Sequence, residues 1–243
     1  MRARPVAAGV WQVGLRGVNA FLIEVDDGLV LIDAGMRWSP PRLTEAIYST
    51  GRRPDDVTAI LVTHAHGDHI GGLAEMTRRT GAEVWMHPAD AALLRQGVYG
   101  RRLGRSPSGA GEIVRRTMNL LPEPKGEPVA VAHEVADGDE LPAGGLRAVH
   151  TPGHTAGHLA LLLPRAGGVL FVGDAAANRR HVGLSPINED LVGSGASLAK
   201  LARLDFDTAL FSHGRPRRGG ASAAFRELVG RYAPGAVGAG ERV

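Results

Sequence analysis

The chain has 243 residues, of which 44% are hydrophobic, so it can bury the core of one large domain or two small ones. It has no cysteine, which excludes disulfides and thiolate ligands and leaves histidine and carboxylate side chains for any metal site. The formal charge of +3 is mild, and we expect it to reflect an arginine-rich composition rather than a nucleic-acid partner.

Short apolar runs and amphipathic stretches alternate through the first half of the chain. The apolar runs are bounded by Gly, Asp and Pro and predict buried strands at residues 20–25, 28–35, 57–63 and 82–87. Helices are predicted at residues 41–50, 69–81 and 88–97. Pro41 and Gly51 bracket the first of these helices, as is typical of helix ends.

The second half repeats this pattern. Apolar runs predict strands at residues 146–151, 158–164, 168–174 and 206–213, and amphipathic stretches predict helices at 194–204 and 219–233. Strands flanked by amphipathic helices in both halves predict an α/β fold. We expect a four-layer sandwich of two mixed β-sheets with helices on both outer faces.

No linker separates the two halves, so we expect a single domain over residues 1–243. Residues 97–128 interrupt the alternation, are rich in Gly, Pro and Arg, and predict one helix near 110–121. Long insertions in compact domains often form lids or binding loops. This segment is therefore a candidate lid or pocket wall, with a solvated surface excursion as the alternative.

The first residues are basic but contain no continuous apolar stretch before Gln12. No later run approaches the roughly 18 apolar residues of a membrane span. We therefore expect a cytoplasmic protein without a membrane partner. The oligomeric state stays open, with a homodimer as one alternative.

The stretch THAHGDH, residues 63–69, places three histidines and an aspartate directly after an apolar run. In an extended chain, residues two apart point the same way, so His64 and His66 can face one point. Gly67 allows a sharp turn, after which Asp68 and His69 leave at the start of a helix. Two ligand pairs diverging from one turn suit two neighbouring metal ions, and their side chains are those that zinc, iron or manganese accept.

Further candidate ligands stand at the ends of other predicted strands. They are His150, His154 and His158 in AVHTPGHTAGH, Asp174 in LFVGD and His213 in ALFSHG. Titratable residues at the ends of buried strands are where sheet-based folds keep their chemistry.

Taken in order, the motifs H-x-H-x-D-H, T-P-G-H-T, V-G-D and S-H-G resemble the metallo-β-lactamase-fold hydrolase superfamily over residues 10–232. The runs VNAFLIE and LVLIDAG also look like the opening strands of that family. The resemblance implies an αβ/βα sandwich and a binuclear metal-dependent hydrolase of the glyoxalase II or lactonase-like branch. The implied cofactors are two divalent ions, with Zn²⁺ first and iron or manganese as alternatives.

The resemblance also implies roles for particular residues, carried over by motif position. The first metal would be held by His64, His66 and His154, the second by Asp68, His69 and His213, and Asp174 would bridge them. Asp33 in LIDAG would hold the metal loop, with a turn cap as the alternative. His158 would orient the site, with a purely structural role as the alternative.

The mechanism implied by the resemblance is attack of a hydroxide shared by both metals on a carbonyl carbon of a small-molecule ester, thioester, lactone or amide. Asp68 would accept or relay the proton. The formal charge of such a site stays positive, which favours an anionic substrate. Arg179, Arg180 and Arg215 follow ligand motifs and are candidates to bind a substrate carboxylate, with ordinary surface arginines as the alternative.

The substrate itself stays open. Ala177 stands where glyoxalase II carries Phe and where many acyl-homoserine lactonases carry Tyr, which counts against both assignments. Two other activities are alternatives: β-lactam hydrolysis, for which no export signal is visible, and phosphodiester cleavage, for which no nucleic-acid module is recognisable. The dioxygenase branch of the superfamily also remains, because His and Asp ligands do not exclude iron.

Overall fold

The structure is a computed structural model that describes residues 2–100, 103–104, 106, 109–122 and 125–232. The predicted insertion at 97–128 is described only in part, because residues 101–102, 105, 107–108 and 123–124 lie outside the described residues. Residues 233–243 also lie outside them, and they include the predicted end of the last helix.

Seven strands form the first sheet, and their order in space follows their order in the chain. They are β1 (Arg4–Ala7), β2 (Val10–Gly14), β3 (Asn19–Val25), β4 (Gly28–Ile32), β5 (Val57–Leu61), β6 (Glu83–Met86) and β7 (His133–Glu134). The strands from β1 to β4 pair antiparallel, and those from β4 to β7 pair parallel, so the sheet is mixed. All of β4 is buried, as expected of a strand covered on both faces.

Five strands form the second sheet. They are β8 (Arg147–His150), β9 (Leu159–Leu163), β10 (Val169–Gly173), β13 (Thr208–Phe211) and β14 (Arg217–Arg218), in the order β14-β13-β10-β9-β8. β10 and β13 are parallel, and the other neighbours are antiparallel. A separate antiparallel ribbon of β11 (Ala176–Asn178) and β12 (Val182–Leu184) follows β10 in the chain.

The helices connect these strands. They are α1 (Pro40–Ser49), α2 (Gly67–Ile70), α3 (Leu73–Thr80), α4 (Pro88–Leu94), α5 (Gly109–Leu120), α6 (Leu191–Leu201) and α7 (Ala221–Tyr232), with a 3₁₀ turn at Pro54–Asp56. Within the described part of the chain, every helix is too short or too polar to cross a lipid bilayer.

The two sheets pack face to face through a shared apolar core. Phe21 of β3 meets Phe171 of β10 edge to face, with ring centroids 5.3 Å apart at 68°. Because side chains alternate along a strand, Ile23 joins this core while Leu22 points to the opposite face of the first sheet. One face of each sheet is therefore buried against the other sheet.

Helices cover the two outer faces. Leu43 of α1 and Met76 of α3 pack on the first sheet, and Leu198 of α6 and Phe225 of α7 pack on the second. All four side chains are fully buried. The predicted four-layer sandwich of two mixed sheets flanked by helices is confirmed.

The predicted continuous helix over residues 69–81 is wrong. α2 ends at Ile70 and α3 begins at Leu73, with two glycines between them. A Cβ on Gly71 would lie 2.7 Å from the backbone nitrogen of Arg37, and one on Gly72 would lie 2.5 Å from the carbonyl oxygen of Ala34. The backbone that follows β4 packs directly against residues 71 and 72, so only glycine fits at these two positions. The predicted helix is interrupted there.

Other differences lie at strand ends and at the chain start. The run predicted as a strand over 28–35 stops at Ile32, because Asp33 has a left-handed φ of 60°. β1 and β2 were not among the predicted strands. Both strands are short and carry no clear strand pattern in the sequence. They form because β2 pairs antiparallel with β3, and β1 pairs antiparallel with β2.

Replacing Gly72 by Ala should lower the free energy of unfolding by about 1–3 kcal/mol, because the new Cβ must displace the backbone at Ala34. In α7, no described atom lies within 4 Å of a Cβ added to Gly230, so Gly230→Ala serves as the control. It should be neutral or stabilise by up to about 1 kcal/mol. Urea unfolding measures both, and a Gly72→Ala variant as stable as the unaltered protein would contradict the packing described here.

Candidate metal centre

The predicted ligands come together where strands of both sheets end. The segment 64–69 follows β5, His154 lies in the turn after β8, Asp174 directly follows β10, and His213 follows β13. β8, β10 and β13 run in the same direction, so their carboxyl ends meet at one edge of the second sheet. Packing of the two sheets brings the segment after β5 to the same place.

His64, His66 and His154 form one group of nitrogen donors. Nε2 of His64 lies 3.1 Å from Nδ1 of His66 and 3.1 Å from Nε2 of His154. The third side of this triangle, from Nε2 of His154 to Nδ1 of His66, measures 2.9 Å. The three rings stand nearly perpendicular to one another. The rings therefore do not stack, and their nitrogens converge on one point.

Asp68, His69 and His213 form a second group, and Asp174 lies between the two. Nε2 of His213 is 3.2 Å from Oδ2 of Asp68 and 3.2 Å from Oδ2 of Asp174. Nε2 of His69 is 3.8 Å from Oδ1 of Asp174. The same carboxylate reaches the first group, with Oδ2 3.5 Å from Nε2 of His154. Three sets of donors here could each hold a cation: His64–His66–His154, His64–His69–Asp174 and Asp68–His69–His213.

The outer nitrogens of these rings have fixed partners. Nδ1 of His154 donates to the carbonyl oxygen of Ile187 at 2.6 Å, and Nδ1 of His213 donates to that of Gly17 at 2.7 Å. Carbonyl oxygens only accept, so each Nδ1 carries a proton. Nε2 is then the nitrogen left to face the centre, as is usual for metal-bound histidines.

The contact between His64 and His154 shows that a cation fits this centre. Oγ1 of Thr63 donates to Asp33, so it accepts from Nδ1 of His64 at 3.0 Å. Burial, followed by neighbouring histidines, lowers the pKa of His64 and of His154 far below the usual value, so both rings are neutral. Their Nε2 atoms then carry only lone pairs and face each other at 3.1 Å. A cation held between them turns this repulsion into coordination.

Two further polar atoms point to the same conclusion. Among the described residues, Nε2 of His69 and Oδ1 of Asp174 are buried and have no hydrogen-bond partner. Buried polar atoms are rarely left in this state, and a bound ion can satisfy them where no hydrogen-bond partner does. The donor chemistry, imidazole and carboxylate, suits Zn²⁺, iron or manganese.

The second group differs electrostatically from the first. Burial opposes the charged form of His69, but the carboxylates of Asp68, Asp33 and Asp174 outweigh it and raise its pKa to about 9. Burial likewise opposes protonation of His213, and Asp174 and Asp68 raise its pKa to about 11. Burial would raise the pKa of Asp68 and Asp174, but these histidines hold both well below the usual range. Without a cation, this group holds its protons on the histidines.

Asp33 and His158 lie directly behind the donor atoms. The Asp33 carboxylate accepts from the backbone nitrogen of Thr63, from Oγ1 of Thr63 and from Nδ1 of His69, each at 2.8 Å. Nε2 of His158 accepts from the backbone nitrogen of Asp174 at 2.9 Å, and burial first of all lowers the His158 pKa to about 3. Asp33 thus orients the segment after β5, and His158 orients the start of Asp174.

Sequence reasoning missed Asp90, which joins the two loops that carry the first group. Oδ2 accepts from the backbone nitrogen of Ala65 at 3.0 Å and from Oγ1 of Thr155 at 2.7 Å, and Oδ1 accepts from the backbone nitrogen of Gly157 at 2.9 Å. In the sequence it looks like an ordinary aspartate in the first turn of a helix after Pro88. No local signal identifies it, because its partners are 25 to 67 residues away.

A cavity of about 230 Å³ opens over the centre. Its lining includes His66, Asp68, His154, Asp174 and His213, and it also includes Arg179 and Ala177. The other two predicted arginines, Arg180 and Arg215, are exposed and are not among the described lining residues. His150 also lies outside the centre, because its ring stacks on His87 with centroids 4.0 Å apart.

Comparison with known proteins gives a consistent result. A sequence profile of the metallo-beta-lactamase superfamily matches residues 13–213. The chain is 26% identical over 231 residues to the probable metallo-hydrolase YflN of Bacillus subtilis, a match that covers 88% of this chain and 86% of YflN. Among solved structures, the MIM-2 metallo-beta-lactamase has a TM-score of 0.72 at 27% identity, covering 93% of this chain and 85% of MIM-2.

A shorter match is to the exodeoxyribonuclease WalJ of Streptococcus pneumoniae, at 36% identity over 67 residues. It covers 28% of this chain and 24% of WalJ, so the chain matches about a quarter of that protein's length. A local match of this length does not carry over the activity of the whole relative.

Replacing Asp90 by Asn should weaken both the fold and the centre. An amide in this position turns one accepting oxygen into a donor and leaves a buried N–H without an acceptor, which costs about 1–3 kcal/mol. Zn²⁺ affinity, measured against a competing chelator, should fall about 10- to 100-fold. The control Asp55→Asn removes the same charge at an exposed position and should change neither quantity. Unaltered Zn²⁺ affinity in Asp90→Asn would show that the carboxylate does not brace the loops.

Among the histidines of the two groups, only those of the second should release protons when divalent cations bind to the metal-free protein. At pH 7, His69 and His213, with pKa values of about 9 and 11, are protonated, whereas His64 and His154 are already neutral. Because a coordinating imidazole must be neutral, filling both groups should release roughly two protons from these histidines, falling toward one as the pH rises through about 9, and metal-bound water adds to this number. Calorimetry in buffers of different ionisation enthalpy counts them. His213→Ala should release one fewer, and no release at pH 7 in the unaltered protein would contradict the charge state described.

Proposed function

The chain belongs to the metallo-beta-lactamase superfamily, and we propose that it is a binuclear metal-dependent hydrolase that cleaves an acyl bond in a small molecule. The observation that carries the proposal is the convergence of imidazole nitrogens and carboxylate oxygens into two adjacent groups that share Asp174. The lone pairs of His64 and His154, whose Nε2 atoms lie 3.1 Å apart, offer a cation two ligand atoms at one point. Each of the other imidazole nitrogens of the two groups also faces the same centre.

The residues would divide between two cations. His64, His66 and His154 would hold the first, Asp68, His69 and His213 the second, and Asp174 would contact both. Zn²⁺ suits this mixture of imidazole and carboxylate ligands, and iron and manganese are the alternatives. Asp33 and His158 would fix His69 and Asp174 from behind through the hydrogen bonds described above.

Two divalent cations so placed would supply Lewis acidity and lower the pKa of water in the cavity from 15.7 toward about 7. Asp68 is the residue that we assign to proton transfer. Its carboxylate lines the cavity, is about a quarter exposed, and lies 3.2 Å from Nε2 of His213. Burial would raise its pKa, but His69 and His213 hold that pKa low in the metal-free protein, so the carboxylate is ionised. Its place in the cavity, rather than its basicity, supports a role in accepting a proton from the attacking water and passing it to the leaving group.

The substrate class is an ester, thioester or lactone, and no serine or cysteine nucleophile is needed for it. Arg179 lines the cavity and is exposed, so it is the arginine best placed to bind an anionic group of the substrate. Ala177 also lines the cavity, and its methyl group offers no hydrogen bond to a substrate. Ala177 therefore counts against glyoxalase II and acyl-homoserine lactonase themselves, and the proposal is an acyl hydrolase related to that branch whose substrate contacts differ from those of both enzymes.

β-Lactam hydrolysis is a second candidate. The likeness to MIM-2 extends over 93% of this chain at 27% identity, and a β-lactam is a strained amide that the same chemistry opens. Phosphodiester cleavage has weaker support, since the match to WalJ spans only 67 residues. Both are arms of the experiment below.

We further propose that residues 1–243 form one domain in which the insertion at 97–128 shapes the pocket. Tyr99 and Met118 from this insertion line the cavity over the centre. The fold supports a single domain, because the apolar core between the sheets contains residues from both halves of the chain.

Replacement of Asp68 by Asn should lower kcat/KM at least about 100-fold, because both the proton acceptor and a carboxylate ligand of the second cation are lost. The measurement is hydrolysis of a panel of esters, thioesters, lactones, nitrocefin and bis(p-nitrophenyl) phosphate by protein loaded with Zn²⁺, Mn²⁺ or Fe²⁺, beside metal analysis. The exposed Asp27→Asn is the charge-matched control and should keep full activity.

We expect hydrolysis of acyl substrates, and about two metal ions per chain after loading. Turnover of acyl substrates by Asp68→Asn at the rate of the unaltered protein would remove Asp68 from the mechanism. Hydrolysis restricted to nitrocefin or to the phosphodiester would replace the acyl proposal with the corresponding alternative.

A further inference from the structure

A second, larger cavity shares a wall with the cavity over the candidate metal centre. It measures about 710 Å³, within the range of about 300–1,000 Å³ typical of small-molecule sites. Five residues line both cavities: Gly67, Asp68, Tyr99, Met118 and Ile187. A ligand that reaches Asp68 can therefore extend directly into the larger space.

The larger cavity presents apolar side chains to solvent. Trp38 is 54% exposed and Met118 is 43% exposed, and both line this cavity together with Met36, Tyr99 and Ile187. Large apolar side chains grouped at a cavity mouth and left in water mark a site that gains free energy when an apolar group covers them. Trp38 follows β4 and Met118 belongs to α5, so the two side chains come from different parts of the fold.

Tyr99 forms the fixed part of the shared wall. Its hydroxyl donates to the carbonyl oxygen of Glu127 at 3.2 Å. A Cβ on Gly126 would lie 2.1 Å from the ring, so the chain passes against the ring where only a glycine fits. The ring is buried and held in place, which makes a preformed surface for a ligand rather than one that must be ordered on binding.

The charges at the rim of this cavity do not suit a nucleic acid. Arg78 pairs with Glu127, and Glu75 pairs with Arg79. The guanidinium of Arg37 lies 6.0 Å from the centre of the Trp38 ring, near the limit for a cation–π contact. The rim thus mixes both signs, whereas a phosphate backbone needs a row of uncompensated cations.

We propose that the substrate carries an apolar arm, an alkyl chain or aryl group, that lies in the larger cavity along Tyr99, Met118 and Trp38. The scissile acyl group then lies in the smaller cavity beside Asp68. This inference rests on the proposed hydrolase function and names the class of its substrate: medium-chain or aryl-bearing esters, thioesters or lactones rather than short, fully polar ones. Because the two cavities share a wall, a substrate whose acyl group lies beside Asp68 can place its apolar arm in the larger cavity.

Binding to the metal-free protein tests the apolar site without reference to activity. Calorimetric titration with decanoate and with acetate compares two carboxylates that differ only in the arm, and decanoate should bind at least tenfold more tightly. Trp38→Ala should reduce the affinity for decanoate about tenfold, because it removes a large part of the apolar surface. Tyr48→Ala is the matched control, since Tyr48 is 55% exposed and lies outside the described lining of the cavity, and it should have no effect.

Kinetics of the metal-loaded protein provide the second arm. Along a series of p-nitrophenyl esters from acetyl to decanoyl, kcat/KM should rise by up to about fourfold per methylene until the cavity is filled. Met118→Glu should lower the decanoyl-to-acetyl ratio of kcat/KM at least tenfold. Leu120→Glu places the same charge on α5 at a residue that is 86% exposed and outside the described lining, and it should leave the ratio unchanged.

The two arms separate failure of this inference from failure of the hydrolase proposal. A flat chain-length profile, decanoate binding no tighter than acetate, or decanoate binding that Trp38→Ala does not weaken would overturn the apolar arm while leaving the hydrolase proposal intact. Absence of any ester, thioester or lactone hydrolysis, together with decanoate binding that depends on Trp38, would support the apolar site and overturn the acyl-hydrolase proposal.

Discussion

Two unprotonated imidazole nitrogens, Nε2 of His64 and Nε2 of His154, approach each other at the candidate centre, and this contact constrains everything around it. One ring follows a strand of the first sheet and the other follows a strand of the second, so the contact also joins the two sheets at their edge. Neutral imidazoles with facing lone pairs do not attract each other. A cation makes this arrangement favourable, and the same cation would then help to hold the sheets together.

Two buried carboxylates hold the donor loops in place from behind. Asp33 accepts three hydrogen bonds from Thr63 and His69, and Asp90 accepts three from Ala65, Thr155 and Gly157. Each is almost fully buried, and a buried carboxylate is tolerated because several donors satisfy it. These bonds hold the loops in the positions that bring the donor atoms together.

The candidate centre and the surrounding walls have different origins in the chain. The donor atoms stand at the ends of strands in the two sheets or in the short helix α2 that follows β5, whereas Tyr99 and Met118, which form part of the cavity wall, belong to the segment 97–128. The donors and this part of the wall therefore come from different segments of the chain, so a change in the wall need not move the donors.

The amino-acid sequence was sufficient to predict the layer order, through the regular alternation of apolar runs with amphipathic helices. It also named the His and Asp side chains that the structure brings together: those within THAHGDH stand out by their spacing, and the family resemblance added the others. The packed fold was needed to reveal the break between α2 and α3, the role of Asp90 and the cavity lined by Tyr99 and Met118. The break arises because the backbone near Ala34 approaches Gly72, and Asp90 acts on residues up to 67 positions away. Contacts between distant segments have no periodicity or spacing in the chain, so they exist only after the sheets have packed.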